Sequence, residues 1–170
     1  PIHTSTRRIA DPLASVRRDR FVGRTAEIQA FRSALLAGEL PFVAFHLHGP
    51  GGVGKTTLIA EFAQIGEEVG RAVVRIDGRN IEPSPAGFLS APGHATGTER
   101  VDVPAVVERW PTGAVLLVDT YELLSPLDEW LRQTFFPQLP AQRLFVIAGR
   151  DQPSAGWRTD VAWEALTPIA

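Results

Sequence analysis

The chain has 170 residues, a length that suits one domain and can bury a core without metal or disulfide cross-links. Apolar residues make up 44% of the sequence and charged residues 21%, which excludes a disordered or collagen-like chain. The formal net charge of −2 argues against a strongly basic nucleic-acid-binding module, and the lack of cysteine excludes disulfides, cysteine zinc sites and thiol catalysis.

Lysine usage in this chain is unusual. Of the 17 lysine and arginine residues only Lys55 is a lysine, which indicates that this lysine has a function. The sequence begins with Pro1 and contains no methionine, so we expect a fragment of a longer protein. Because no apolar run approaches about 20 residues and no signal-peptide pattern opens the chain, we expect a cytoplasmic location.

The first part of the chain is predicted to be a linker followed by a helix. Residues 1–19 are polar and rich in arginine, which favours a linker or a solvated helix face over a patch that follows phosphates. Thr25 fits the N-cap of a helix that carries apolar residues at helical spacing and ends at Gly38.

Short apolar runs then alternate with helical segments. Strands are predicted at residues 42–48, 72–76, 114–118 and 144–148. Helices are predicted at residues 55–68, 103–110 and 127–136. Residues 78–97 are predicted to be a loop with one helical turn at 86–89, and residues 161–166 fit either a fifth strand or the start of a helix. This alternation predicts a mostly parallel sheet between two helical layers, with ligands at the carboxyl ends of the strands.

The strongest motif is Gly-Pro-Gly-Gly-Val-Gly-Lys-Thr at residues 49–56, a full match to the GxxxxGK[ST] phosphate-binding loop, or P-loop. A predicted strand precedes it and a predicted helix follows. Its glycines let backbone N–H groups surround the phosphates, Lys55 supplies a point charge, and the Thr56 hydroxyl suits Mg²⁺. The predicted nucleotide-binding residues are Pro50, Gly51, Gly52, Val53, Gly54, Lys55, Thr56 and Thr57.

Single positions disfavour other P-loop classes. The ParA-like group has an additional lysine where this chain has Pro50. Guanine recognition normally uses an Asn/Thr-Lys-x-Asp element, but no lysine follows Lys55, so we expect ATP or ADP rather than GTP. Small-molecule kinases usually carry an arginine-rich lid, whereas residues 78–97 hold one arginine, Arg79, which ranks a kinase low.

The predicted strand at 114–118 ends in Asp119, which is the pattern of a Walker B segment. Asp119 is predicted to bind Mg²⁺ with Thr56. Many P-loop ATPases place a glutamate directly after this acid, but Thr120 stands there and the nearest carboxylate is that of Glu122. Glu122 has two interpretations: it orients the attacking water, or it caps a helix or pairs with an arginine.

The predicted strand at 144–148 delivers Arg150 to its carboxyl end. If this strand lies between the strands of the P-loop and Asp119, Arg150 faces the γ-phosphate, for which a planar guanidinium is well suited. The alternative is a structural salt bridge to Asp151 or Asp119, and we favour the phosphate. The candidate catalytic residues are Lys55, Asp119, Glu122 and Arg150.

Four segments in this order resemble the nucleotide-binding domain of STAND ATPases, the AAA-like signal-transduction NTPases of bacterial regulators. They are Phe-Val-Gly-Arg at 21–24, the P-loop, Asp-Thr-Tyr-Glu at 119–122 and Ala-Gly-Arg at 148–150. The resemblance implies an α/β P-loop NTPase fold, a three-layer sandwich with a mostly parallel five-stranded sheet in ASCE-type order. It places the Arg150 strand between the other two and makes 163–169 the last strand.

The resemblance also implies site residues and domains. The adenine would be lined by Phe21, Val22, Gly23 and Arg24. Residues 1–19 would be a linker and 20–170 the nucleotide-binding domain, without the lid, winged-helix and sensor domains of the family.

Two functions are compatible with this reading. The first is a switch domain that binds ATP or ADP with Mg²⁺, hydrolyses ATP weakly, and controls whether a larger regulator stays closed or self-associates. Thr120, in place of the second acid, leaves open an interaction scaffold that binds nucleotide without hydrolysis. The expected partners are nucleotide, the remaining domains of the longer chain and further copies of it, with no membrane and no direct nucleic-acid contact.

Overall fold

Four short apolar segments form one parallel sheet in the computed structural model, which describes residues 24–96 and 102–167 and, for 92–96, the backbone alone. The strands are β1 (Ala44–His48), β2 (Val73–Asp77), β3 (Val115–Asp119) and β4 (Leu144–Gly149). Their order in the sheet is β1-β4-β3-β2. His48 is paired with Gly149 and Asp77 with Asp119, so the strands end together at one edge.

Helices cover both faces of the sheet. They are α1 (Thr25–Leu36), α2 (Lys55–Glu68), α3 (Pro85–Thr96), α4 (Val103–Arg109), α5 (Asp128–Trp130), α6 (Ala155–Thr159) and α7 (Val161–Leu166). Around α5 the chain is irregular, with 3₁₀ turns at Tyr121–Leu127 and Phe136–Gln138 and a π turn at Leu131–Phe135. The three-layer α/β arrangement confirms the predicted fold class.

Each face of the sheet buries its own hydrophobic core. On the face of α1 and α2, Phe31 and Phe62 stack with ring centroids 4.1 Å apart. On the other face, Phe136 stacks on Phe145 of β4 at 3.9 Å. The central strands β3 and β4 are buried along their whole length, which is why both read as unbroken apolar runs.

The prediction of a fifth strand is wrong for the part of the chain that the structure describes, and the helical alternative for residues 161–166 is confirmed. Residues 161–166 form α7, so the strand implied over 163–169 is not formed at 163–166, and 168–169 lie outside the described residues. The Asp160 side chain caps this helix by accepting hydrogen bonds from two N–H groups of its first turn, at 3.0 and 3.4 Å. Trp163 packs edge-on against Trp157, with centroids 4.9 Å apart.

The loop predicted at 78–97 contains the 12-residue helix α3 rather than a single turn. Ser84 Oγ accepts a hydrogen bond from the N–H of Gly87 at 3.1 Å and thereby caps the helix, whose first residue is Pro85. Phe88 and Leu89 are buried against the sheet. Burial of these two side chains outweighs the weak helix propensity of the glycine and proline residues in this stretch.

The first and fifth helices also differ in detail from the prediction. α1 begins at Thr25, so its N-cap is Arg24, and it ends at Leu36, two residues before Gly38. The helix predicted at 127–136 is present as the irregular segment around α5.

A buried histidine lies on β1. His46 is 3% exposed, and its Nε2 has no hydrogen-bond partner among the described residues. Its ring lies edge-on to Trp157 at 4.6 Å. Burial lowers the pKa of His46 from 6.5 to about 4, although the charge of Asp128 acts in the opposite direction.

We predict that the free energy of unfolding falls by about 2 kcal/mol between pH 7 and pH 5 through His46. The unfolded chain takes up a proton at this residue below pH 6.5, whereas the folded chain does so only near pH 4. Urea unfolding across this pH range measures the effect. The variant His46→Phe keeps a ring but cannot titrate, and the same pH dependence in both proteins would contradict the prediction.

Candidate functional site

The loop between β1 and α2 is shaped by glycines in the left-handed region. Gly52 and Gly54 have φ angles of +85° and +87°, which other residues rarely adopt. Lys55, the first residue of α2, turns back over the loop, and its Nζ donates hydrogen bonds to the carbonyl oxygens of Gly49 at 2.6 Å and Pro50 at 2.9 Å. The ammonium group therefore lies within the loop that the motif predicts to bind phosphate.

A cleft of about 390 Å³, here called the P-loop cleft, opens over this loop at the carboxyl edge of the sheet. The loop and the turns after β2, β3 and β4 line it with Gly51, Gly52, Gly54, Lys55, Thr56, Thr57, Arg79, Asp119, Thr120, Glu122 and Arg150. Pro50 contributes a carbonyl to Lys55 and Val53 is 39% exposed, but neither residue lines the cleft. The structure thus brings the P-loop, the Walker B acid and the end of β4 together.

Asp119 and Thr56 supply hard oxygen donors on one side of this cleft. Asp119 is 8% exposed, and its Oδ1 accepts a hydrogen bond from the N–H of Thr120 at 2.8 Å. It forms no salt bridge with the other described residues. Mg²⁺ in phosphate sites usually takes one or two protein oxygens together with phosphate and water oxygens. The pair fits that requirement, although no group of three or more His, Cys, Asp or Glu within residues 24–96 and 102–167 could hold a metal by itself.

Glu122 and Arg150 line the cleft and are in direct contact with each other. β4 lies between β1 and β3, as the phosphate interpretation of Arg150 requires. Glu122 Oε2 accepts the N–H of Arg150 at 3.1 Å, and Glu122 Oε1 lies 3.3 Å from its Nε. Glu122 therefore pairs with an arginine, and the partner of Arg150 is Glu122 rather than Asp151 or Asp119. The Arg150 side chain is 70% exposed, so such a pair contributes only about 0–1 kcal/mol and can be exchanged at small cost.

Asp77 and Arg79, which follow β2, join the site although no motif marks them. Asp77 is paired in register with Asp119, and Arg79 lines the P-loop cleft. Hydrogen bonds from the Arg79 side chain are the main reason that the pKa of Asp77 is lowered to about 2. The sequence does hold a signal, because β2 ends in an aspartate as β3 does, and the neighbouring strands of a parallel sheet end at the same edge.

Gly78 lets the turn after β2 pack on the turn after β3. A Cβ atom at position 78 would lie 2.5 Å from the carbonyl oxygen of Thr120 and 3.3 Å from Leu124 Cγ. Thr120 itself has a φ of +56°. The side chain of Thr120 is a further hydrogen-bonding group that lowers the pKa of Asp77. The two turns therefore form one packed unit.

We predict that Gly78→Ala lowers the free energy of unfolding by about 1–3 kcal/mol, because the added methyl group meets backbone that cannot move aside freely. Gly38→Ala is the control, since a Cβ atom there would meet nothing within 4 Å, and its effect should stay within about 0.5 kcal/mol. Urea unfolding compares the two variants. Equal stabilities would show that the turns are not packed as described.

The residues assigned to the adenine are only partly described. Phe21, Val22 and Gly23 lie outside the described residues. Arg24 donates a hydrogen bond from Nη1 to Glu27 Oε1 at 2.6 Å and does not line the P-loop cleft. Adenine recognition by this segment stays a prediction.

The fold and the loop define a P-loop ATPase domain. Residues 20–119 match the family model described as AAA ATPase domain, and the chain belongs to this family. The match covers more than half of the chain and includes both the P-loop and Asp119. AAA ATPase domains bind ATP or ADP with Mg²⁺. No curated protein matches the chain. Within the described residues, no helix has the length and apolar character needed to span a membrane.

Solved structures with the same fold include a Cdc6p, a DNA replication initiation factor and a RuvB variant. Cdc6p from Pyrobaculum aerophilum is 17% identical with a TM-score of 0.63, and the alignment covers 88% of this chain and 45% of that one. A DNA replication initiation factor is 14% identical with a TM-score of 0.54, covering 90% and 48%. A variant of RuvB from Thermotoga maritima is 20% identical with a TM-score of 0.51, covering 89% and 46%. The chain spans less than half of each, and at these identities the similarity shows the fold alone.

Proposed function

We propose that residues 20–170 form a nucleotide switch domain that binds ATP or ADP with Mg²⁺ and hydrolyses ATP slowly. The observation that carries the proposal is the position of Lys55. The only lysine of the chain holds its ammonium group on two carbonyl oxygens of the glycine-rich loop, inside a cleft that Asp119 and Arg150 also line. The position of the chain's one lysine at this residue of the motif supports a phosphate-binding role.

Each side chain has a proposed task at this site. Lys55 binds the β- and γ-phosphate oxygens together with the N–H groups of the loop. Thr56 and Asp119 hold Mg²⁺, which when bound offsets the negative charge of the phosphates. Arg150 exchanges its partner Glu122 for the γ-phosphate, and the carboxylate so released orients the attacking water.

The proposed switch depends on differential contacts, because ATP and ADP differ by one phosphate. A tenfold bias between two arrangements requires about 1.4 kcal/mol, which one hydrogen bond to a charged group can supply. The hydrogen bonds of the residue next to Glu122 support a route by which the bound nucleotide would affect residues outside the cleft. Tyr121 donates a hydrogen bond to Asp128 at 2.7 Å, and Asp128 also accepts from Trp157 Nε1 at 2.8 Å and Ser154 Oγ at 2.7 Å. The segments after β3 and β4 are therefore tied together.

The proposed setting is a larger cytoplasmic regulator of the STAND class, in signalling or transcription. The ordered segments at 21–24, 49–56, 119–122 and 148–150 support this finer assignment within the AAA family. The remaining domains of the longer chain and further copies of it are the proposed partners, and we propose no membrane or nucleic-acid contact for this domain.

Thr120 favours a second candidate, a scaffold that binds nucleotide without turnover. Thr120 cannot act as an acid or base in place of the usual glutamate, and Glu122 is held by Arg150. Phosphate release from Mg-ATP, measured beside Asp119→Asn and Glu122→Gln, separates the two candidates. The switch predicts release above both variants, and release no faster than theirs would favour the scaffold.

We predict that Mg-ATP raises the melting temperature of the chain and Mg-GTP does not, since ligand that binds only the folded state stabilises it by about 2.7 kcal/mol at a hundred times Kd. Lys55→Ala should abolish the shift. Arg32→Ala removes one positive charge from α1, outside the cleft, and should respond as the wild type does. Calorimetry that finds unchanged ATP affinity in Lys55→Ala would contradict the proposal.

A further inference from the structure

Arg79 is held in one orientation by Asp77. Its Nε donates to both carboxylate oxygens, at 3.0 and 3.1 Å, and its Nη2 donates to Oδ2 at 2.6 Å. The backbone N–H of Arg79 adds a further bond to Oδ1 at 3.0 Å. The packed glycine between the two residues fixes the turn. A long and flexible side chain is therefore constrained at its charged end.

This pairing leaves one edge of the guanidinium open. An arginine has five N–H donors in a planar fork, and Asp77 engages the edge made by Nε and Nη2. Nη1 makes no hydrogen bond with any of the described residues. The Arg79 side chain is 61% exposed and lines the P-loop cleft. An oriented donor edge with no acceptor in residues 24–96 or 102–167 thus lies in the cleft of Lys55.

The sheet places Arg79 opposite Arg150. From β4 to β2 the strands end at Gly149, Asp119 and Asp77, and Arg150 and Arg79 lie in the turns that follow the two outer strands, on either side of the Asp119 strand. The pKa of Arg79 is raised chiefly by Asp77, and the charge of Asp119 acts in the same direction. A second cleft of about 540 Å³ beside β2, called here the β2 cleft, shares Thr56, Arg79 and Asp119 with the P-loop cleft.

A purely structural role explains this arrangement less well. Exposed ion pairs contribute little to stability, and this pair lies at a cleft rim rather than in the core. A bidentate pair that leaves the second edge of the arginine open is instead the geometry that presents a guanidinium to an oxyanion.

We propose that Arg79 is a further phosphate-binding residue, which donates from its open edge to the terminal phosphate of a nucleoside triphosphate, with Asp77 as its positioning residue. This inference rests on the proposed nucleotide binding at Lys55. The diphosphate lies in the loop itself, whereas the terminal phosphate extends toward Thr56 and Asp119, beside which Arg79 stands. Arg79 therefore distinguishes triphosphate from diphosphate.

Calorimetric titration of the chain with Mg-ADP and with a Mg-bound, non-hydrolysable ATP analogue tests the proposal. Arg79→Ala should weaken the triphosphate analogue about tenfold and change ADP by less than about twofold. Arg79→Lys keeps the charge but loses the fork, and it should recover only part of the lost affinity. Asp77→Asn should also weaken the analogue selectively, because it loosens the orientation of the arginine.

Arg75→Ala is the matched control. Arg75 is an exposed arginine on β2, four residues before Arg79, and it lines the β2 cleft but not the P-loop cleft. Both ligands should bind this variant as they bind the wild type. Melting temperatures of all variants show whether each one folds.

The possible results separate this inference from the proposed function. If the wild type binds neither ligand, or Lys55→Ala binds both normally, the proposed nucleotide site fails and Arg79 fails with it. If binding depends on Lys55 but Arg79→Ala behaves like Arg75→Ala, the inference alone is overturned. Equal weakening of both ligands, with a lowered melting temperature, would also overturn it, since the ion pair would then be structural.

Discussion

Strand direction is the constraint on which the candidate site depends. In a parallel sheet every strand presents its carboxyl end at the same edge, so the turns after β1, β2, β3 and β4 meet although they span about 100 residues of sequence. The register of the strands aligns their carboxyl ends further, because His48 is paired with Gly149 and Asp77 with Asp119. A slip of one residue would turn the side chains at this edge to the opposite face of the sheet.

Charge at this edge is nearly balanced by the chain itself. Lys55 is held by two carbonyl oxygens, Arg79 by Asp77 and Arg150 by Glu122. Asp119 is the exception, since it is largely buried and forms no salt bridge with another described residue. Its carboxylate oxygens therefore make no direct contact with a cationic side chain of the described residues and can contact a bound cation. The exposed Arg150 can exchange Glu122 for another anion at small cost, while Arg79 stays held by Asp77, and together these features suit a site for a metal and a polyanion.

Periodicity and loop chemistry made much of the fold predictable. The four strands lie within two residues of their predicted bounds, and α2 begins and ends as expected, because apolar runs and the P-loop fix them locally. Helix α3 was predicted only as one turn at 86–89, since its glycine and proline content indicated a loop while burial of Phe88 and Leu89 decided the outcome. Helix α7 replaced the implied strand because Asp160 caps it and Trp163 packs against Trp157.

The residues of the site were predictable wherever a motif carries its own geometry, as at Lys55 and Thr56. The ion-pair partners of the charged residues could not be predicted, because they depend on which strands become neighbours in the sheet. Glu122 pairs with Arg150 across two turns that are 28 residues apart in sequence. The Asp77–Arg79 pair can be assigned to the site only once β2 is known to lie beside β3.

A crystal structure with Mg²⁺ and a non-hydrolysable ATP analogue at millimolar concentration tests the central claim most directly. We expect the phosphates within the glycine-rich loop, with Lys55 Nζ about 3 Å from their oxygens rather than on the carbonyl oxygens of Gly49 and Pro50. Mg²⁺ should contact Thr56 and Asp119. Phosphates bound elsewhere, or an analogue absent while Lys55 keeps both carbonyl contacts, would contradict the claim that this loop binds nucleotide.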